Sequence, residues 1–192
     1  GDKVAGVTIM QMDEGLDTGA MLDKESVEIS DTDNRVHLEE KLQLAGQTAL
    51  LRTLADLHRY QSAASIQNDV DSCYAAKLEK LEAFIDWSLS AREIDRQIRA
   101  GIGRNPAYTL FHEQRLRVLE ATVLEEEFTD RPGAIVKSDK KSFTVSCGSH
   151  ALNILSVQLP GKNPTAVSDI TNSRPELFAK GENFSSELLT PQ

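Results

Sequence analysis

Three carboxylates crowd into one short stretch, Met12-Asp13-Glu14-Gly15-Leu16-Asp17-Thr18-Gly19, between two β-prone runs. Glycines let a chain turn tightly or approach a ligand, and a carboxylate held at such a turn can orient a partner and manage a proton. Residue types alone leave two readings open, a solvated acidic loop or an active-site loop. Other chemistry has little to build on. There is no His-Glu-x-x-His and no Cys-x-x-Cys, and His37, His58, His112 and His150 stand apart, so structural or surface roles are expected for them and no catalytic metal. The phosphate-loop and nucleophile-elbow patterns are absent as well. Cys73 and Cys147, far apart in the chain, read as ordinary reduced thiols.

The elements around the acidic stretch can be placed from periodicity. Residues 6–12, GVTIMQM, are nearly continuous in apolar character, as in a strand buried on both faces, and 20–29 are again β-prone. From Asp33 to about Tyr60 the pattern turns helical. Leu38, Leu42, Ala45 and Ala49 set a stripe that Leu50, Leu54 and Leu57 are expected to continue, forming a long amphipathic helix that covers a sheet. A polar stretch without period, residues 60–76, reads as a linker between an α/β part, 1–59, and a second domain, 77–192.

In the second part Ser90-Ala91-Arg92-Glu93 is a capping-box pattern at a helix start. Ile94, Ile98 and Ile102 form its inner face, Arg92, Arg96 and Arg99 point away, and Gly101 and Gly103 end it. From Tyr108 onward, five or so short β-prone segments separated by turns predict a small antiparallel barrel or sandwich. The expected fold class is thus α/β followed by a mostly β domain.

With 192 residues, 40% hydrophobic and 27% charged, the chain reads as a soluble globular protein with no membrane span and nothing that directs it out of the cytoplasm. Its net charge of −9 is uneven: residues 1–73 carry −8 and residues 74–192 only −1, so a basic face is possible in the second part.

Taken together, GVTIMQMDEGLDTGAML, then YAAKLEKLEAFIDWSLSAREIDRQIRA, then a β-rich end containing LPGK resemble the methionyl-tRNA formyltransferase family. The two blocks in this order set it apart from single-domain formyltransferases. The resemblance implies the C-terminal strands and helix of a Rossmann-like formyltransferase domain, a linker, and a barrel of the oligonucleotide-binding type. It implies a cytoplasmic, monomeric enzyme that moves formyl from 10-formyltetrahydrofolate to the amino group of methionyl-initiator tRNA, without a metal. Asp17 would be catalytic, and Asp13, Glu14, Gly15 and Leu16 would border the folate. Lys77, Arg99, Arg115, Arg117 and Lys162 would meet the tRNA. The family's Asn-x-His-x-Ser pattern and its Ser-Leu-Leu-Pro segment have no match in these residues. The expectation is therefore a C-terminal part of the enzyme, inactive alone. After the Arg99-Ala100 block, GIGRNPAYTLF departs from the family's Pro-rich turn. A folate-dependent enzyme acting on a sugar amine, or a stand-alone RNA-binding barrel, are the alternatives.

Overall fold

A computed structural model of the chain describes residues 1–68, 70 and 72–185. It divides into two compact units, Gly1–Lys77 and Leu78–Gln192.

The first unit is a β-hairpin with a helix laid on it. Strand β1 (Val4–Met10) pairs antiparallel with β2 (Met21–Glu28), and α1 (Arg35–Ala55) packs on both before the short α2 (Leu57–Ser62). Helix α1 starts where Asn34 accepts hydrogen bonds from the backbone N–H of Val36 (2.9 Å) and His37 (3.1 Å). Arg52, a turn from its end, donates to Asp23 through Nε (2.9 Å) and Nη2 (2.7 Å) and to Glu25 (2.9 Å), tying the helix to β2. Lys41 pairs with Asp33 and ties the helix start to the turn after β2.

Two expectations are corrected in this unit. Strand β1 is not buried on both faces: its residues alternate between exposed and half-buried over Val4–Ile9, because one helix covers one face of a two-stranded sheet. The helix stripe does not run on through Leu50, Leu54 and Leu57, which are exposed. The covered line is instead Ala45, Ala49 and Thr53, flanked by half-buried Leu38 and Leu42. Successive helical residues are about 100° apart, so Leu50 is already a quarter-turn away from Ala49. Small residues bring the helix close; a Cβ on Gly46 would lie 3.5 Å from a Val7 methyl.

The second unit is an antiparallel curled sheet around one core. Strands β3 (Tyr108–Phe111), β4 (Gln114–Leu124), β5 (Ile135–Ser138), β6 (Phe143–Ser146) and β7 (Ala151–Gln158) lie in the order β3-β4-β7-β6-β5, and β8 (Thr165–Ala166) adds to β7. Register irregularities between Val118 and Ala121 mark a bulge that bends β4, the longest strand. Residues 181–185 hydrogen-bond to both edges of the path: Gly181 N–H donates to Ile135 O (2.9 Å), Phe184 N–H to Gly133 O (2.9 Å) and Ser185 N–H to Leu110 O (3.0 Å). His112 and Glu113, both with positive φ, make the two-residue turn between β3 and β4.

Helix α3 (Ala91–Gly101) begins with the capping box its sequence predicts, Ser90 N–H donating to Glu93 (3.0 Å) and Glu93 N–H to the Ser90 hydroxyl (3.3 Å). Its Ile94 and Ile98 enter the core, while Ile102 is half-buried at the helix end. Trp87 is fully enclosed, donates from Nε1 to Thr109 (3.0 Å) and stacks on Phe184. Phe143, Phe178 and Phe184 complete the aromatic centre, and α4 (Val167–Ser173) covers it with Val167 and Ile170.

Candidate active-site loop and basic surface

The acidic stretch is the loop that joins β1 to β2. It is closed at its base by Gln11 N–H donating to Ala20 O (2.9 Å). Inside it, the Asp13 carboxylate accepts from the Gly15 N–H (3.1 Å) and the Thr18 hydroxyl (2.7 Å). Asp13, predicted to border a folate, is thus also the residue that shapes the turn. Gly19 is a steric necessity, since an added Cβ would fall 1.7 Å from the backbone oxygen of Gln11, and at Gly15 it would fall 2.0 Å from Thr18 Oγ1, so that side chain would have to shift.

Asp17 stands at the turn with φ of +56°, a left-handed conformation that non-glycine residues adopt rarely. Its side chain is exposed, and its carboxylate has no hydrogen-bond partner among the described residues. Glu14 and Leu16 are exposed beside it, Leu16 at 87% and the preceding Met12 at 81%. The loop therefore exposes two apolar side chains and a carboxylate without a partner among the described residues.

What holds this loop from outside comes from the stretch read as linker. Ser65 exchanges two backbone hydrogen bonds with Met21, 2.8 and 3.0 Å, and Gln67 Nε2 donates to the carbonyls of Asp17 (2.7 Å) and Gly19 (2.8 Å). Gln67 has no place in the sequence-level site. It lies fifty residues from Asp17 inside a polar stretch without period, so no local pattern points to it.

The predicted RNA-facing residues are distributed unequally. Arg115 and Arg117 lie on the outward face of β4, opposite Leu116 and Val118, which are core. The Arg115 guanidinium sits 3.8 Å above the Tyr108 ring. Arg117 donates to Gln158 Oε1 (2.8 Å), and Gln158 Nε2 donates to Lys162 O (2.8 Å). Gln158 therefore brings Arg117 and the Lys162 turn together, and the exposed Lys162 side chain follows Gly161, whose φ is +66°. Arg99 does not simply fall away from the buried isoleucine face of its helix. It is half-buried and paired with Asp95 one turn earlier (2.8 Å), on the helix that packs against β4 through Ile94 and Ile98. Lys77 is exposed and closes the first unit.

The sequence matches known proteins across both units. Residues 77–175 match the family model described as "Formyl transferase, C-terminal domain", and residues 1–54 the one described as "Formyl transferase". The chain is 39% identical over 182 residues to a methionyl-tRNA formyltransferase of Coxiella burnetii, with 95% of this chain and 58% of that protein covered. It is 42% identical over 193 residues to the methionyl-tRNA formyltransferase of Colwellia psychrerythraea, covering 96% and 59%. The chain thus spans less than two thirds of these relatives. Among solved structures, HypX from Aquifex aeolicus in complex with tetrahydrofolic acid superimposes with a TM-score of 0.66 at 14% identity, covering 92% of this chain and 31% of that one. WlaRD, a sugar 3N-formyl transferase, superimposes with a TM-score of 0.61 at 18% identity, covering 84% and 57%. At these identities the structures bear on the fold alone.

Proposed function

We propose, from the premise that the chain belongs to the formyltransferase family, that it is a part of a methionyl-tRNA formyltransferase. The observation that carries this reading is the 39–42% identity to enzymes of that name, which runs through both units. On this reading the first unit is the C-terminal portion of a Rossmann-like domain. The curled sheet of the second, whose two edges both bond residues 181–185, is a barrel of the oligonucleotide-binding type.

Within the loop, Asp17 is the proposed catalytic group. A carboxylate with no partner among the described residues can accept an N–H from an imidazole brought to it, favour the charged form of that imidazole, and help to move the proton lost by an attacking amine. Asp13 does a different job, since its carboxylate is occupied in forming the turn. The exposed Leu16 and Met12 side chains of the same loop suit contact with a flat, nitrogen-rich ring system such as a folate. When bound, 10-formyltetrahydrofolate supplies the one-carbon group. Arg115, Arg117 and Lys162 are proposed to meet tRNA phosphates.

The test is formylation of methionyl-initiator tRNA. These 192 residues hold Asp17 without the family's Asn-x-His pattern, so alone they should give no turnover. Fused behind a segment that carries the Asn and His, they should gain activity. Asp17→Asn should then lower it by at least about a hundredfold, the low end for a positioned acid–base group. Turnover of an amino-sugar nucleotide in place of the tRNA would favour the sugar-amine reading.

A further inference from the structure

We infer that Gln67 is the positioning residue of Asp17: its side-chain amide clamps the loop so that the Asp17 carboxylate is presented in one orientation. The inference rests on the reading of Asp17 as catalytic. Positive φ at a non-glycine residue persists only where its surroundings enforce it, and such residues cluster at functional sites. Among the described residues, the bonds inside the loop flank Asp17 without engaging it. Asp13 organises the side of the turn around Gly15 and Thr18, and the Gln11–Ala20 bond closes the base.

Gln67 acts on the remaining arm. One nitrogen donates to two carbonyls, Asp17 O at 2.7 Å and Gly19 O at 2.8 Å, and so fixes the peptide plane that follows Asp17 together with the one two residues later. Both carbonyls, like the Met10 sulfur 4.0 Å from the same nitrogen, can only accept, so the amide must present its nitrogen, with no ambiguity of orientation. Gln67 is itself located by the reciprocal backbone bonds between Ser65 and Met21, two residues earlier in its own segment. The strap thus begins as an addition to the edge of β2 and ends on the candidate catalytic residue. Because the loop side chains are exposed, these two bonds bury little apolar surface; their result is orientation.

Gln67→Glu keeps the shape and replaces both N–H donors by oxygen, and Gln67→Ala removes the clamp. In the 192-residue chain, amide order parameters of Asp17, Thr18 and Gly19 should fall from the rigid range, about 0.85, to below about 0.6 in either variant, while β1, β2 and α1 stay rigid. In the active fusion, Gln67→Ala should lower kcat about tenfold or more with the KM for tRNA unchanged. Added to Asp17→Asn it should cost almost nothing further, since residues acting as a unit are not additive. Unchanged order parameters would overturn the clamp, whatever Asp17 does. A loosened loop with full kcat in Gln67→Ala and a large loss in Asp17→Asn would overturn positioning while leaving the catalytic reading intact. Full activity in Asp17→Asn would instead overturn the reading of Asp17, and the inference with it.

Discussion

The two units solve the same problem, holding a functional surface in place, by opposite means. In the second, a single enclosed core built on Trp87, Phe143, Phe178 and Phe184 backs a sheet whose outer face is free to carry charge. In the first, the buried apolar side chains among the described residues are Ala45 and Ala49, and the loop is held by hydrogen bonds to Asp13 and from Gln67 and by ion pairs between helix and hairpin. Apolar burial stabilises in rough proportion to area, whereas exposed ion pairs contribute little and weaken with salt. The first unit should therefore be the softer of the two, with its geometry encoded in specific polar contacts.

The largest expected effect comes from the core. Trp87→Ala should destabilise the second unit by about 3–5 kcal/mol, through the cavity, the lost stacking on Phe184 and the lost hydrogen bond to Thr109. The matching truncation in the first unit, Leu50→Ala, should cost less than about 0.5 kcal/mol, because that side chain already faces solvent. Urea titrations followed by circular dichroism check both, since Trp87 is the single tryptophan and its fluorescence would be lost. A small loss in Trp87→Ala would break the contrast.

The two cysteines read the same difference chemically. Cys147 is buried, and burial pushes its thiol up to about 12, whereas Cys73 in the first unit is exposed. The thiolate is the reactive form, so at pH 8 an alkylating reagent should modify Cys73 while Cys147 resists until the second unit unfolds. Peptide mass mapping over time, with and without denaturant, gives the result. Early labelling of Cys147 would mean that the core opens more readily than its packing implies.

Acid separates the units by mechanism. The hydrogen bond from Lys41, with that from the Ser30 N–H, holds the Asp33 carboxyl down to about 2. The unfolded value is about 3.9, so the native state binds fewer protons between these limits. The stabilisation is complete above pH of about 4 and is lost as pH falls toward about 2. In the second unit Asp139 is also lowered, but mainly by the backbone N–H groups of Lys141 and Ser142. High salt should shrink the acid sensitivity of α1 and leave that of the Asp139 turn, because screening acts on the charged partner. Amide shifts followed against pH at two ionic strengths test this, and equal salt responses would remove the distinction.

The parts legible in the sequence are those whose cause is local. The Ser90–Glu93 capping box spans four residues and is where its pattern predicts. The β-prone segments from Tyr108 to Leu159 contain the strands β3 to β7, because alternation and turn residues act over a few positions. Leu50, Leu54 and Leu57 misled because their spacing is helical but their face is not the covered one, and only the identity of the packed neighbour decides that. Arg99 read as an outward charge because sequence shows its angle on the helix, not its pairing with Asp95. Gln67 and Gln158 were illegible for a stronger reason. Each works through bonds to partners on other strands or loops, and a lone glutamine in a polar stretch or a strand has no signature.

Gln158 supplies the smallest and most selective test of the comparison. It joins Arg117 to the Lys162 turn without carrying charge, so it should influence RNA binding only by placing charges that other residues bring. Each phosphate neutralised releases counterions, and losing one contact lowers the slope of log affinity against log salt by about one. Lys162→Glu should therefore weaken binding of labelled initiator tRNA to residues 77–192 and flatten its salt dependence. Gln158→Leu should weaken binding severalfold less than Lys162→Glu while keeping the slope, because the cations remain but are no longer held together. Adding back residues 1–73, with a net charge of −8, should weaken binding at low salt and matter less at high salt. If residues 77–192 show no salt-dependent binding at low ionic strength, the outer face of the second unit has no role in contacting RNA. Its dense core would then serve the architecture alone, and the contrast between a polar functional loop and a charged functional sheet would reduce to the loop.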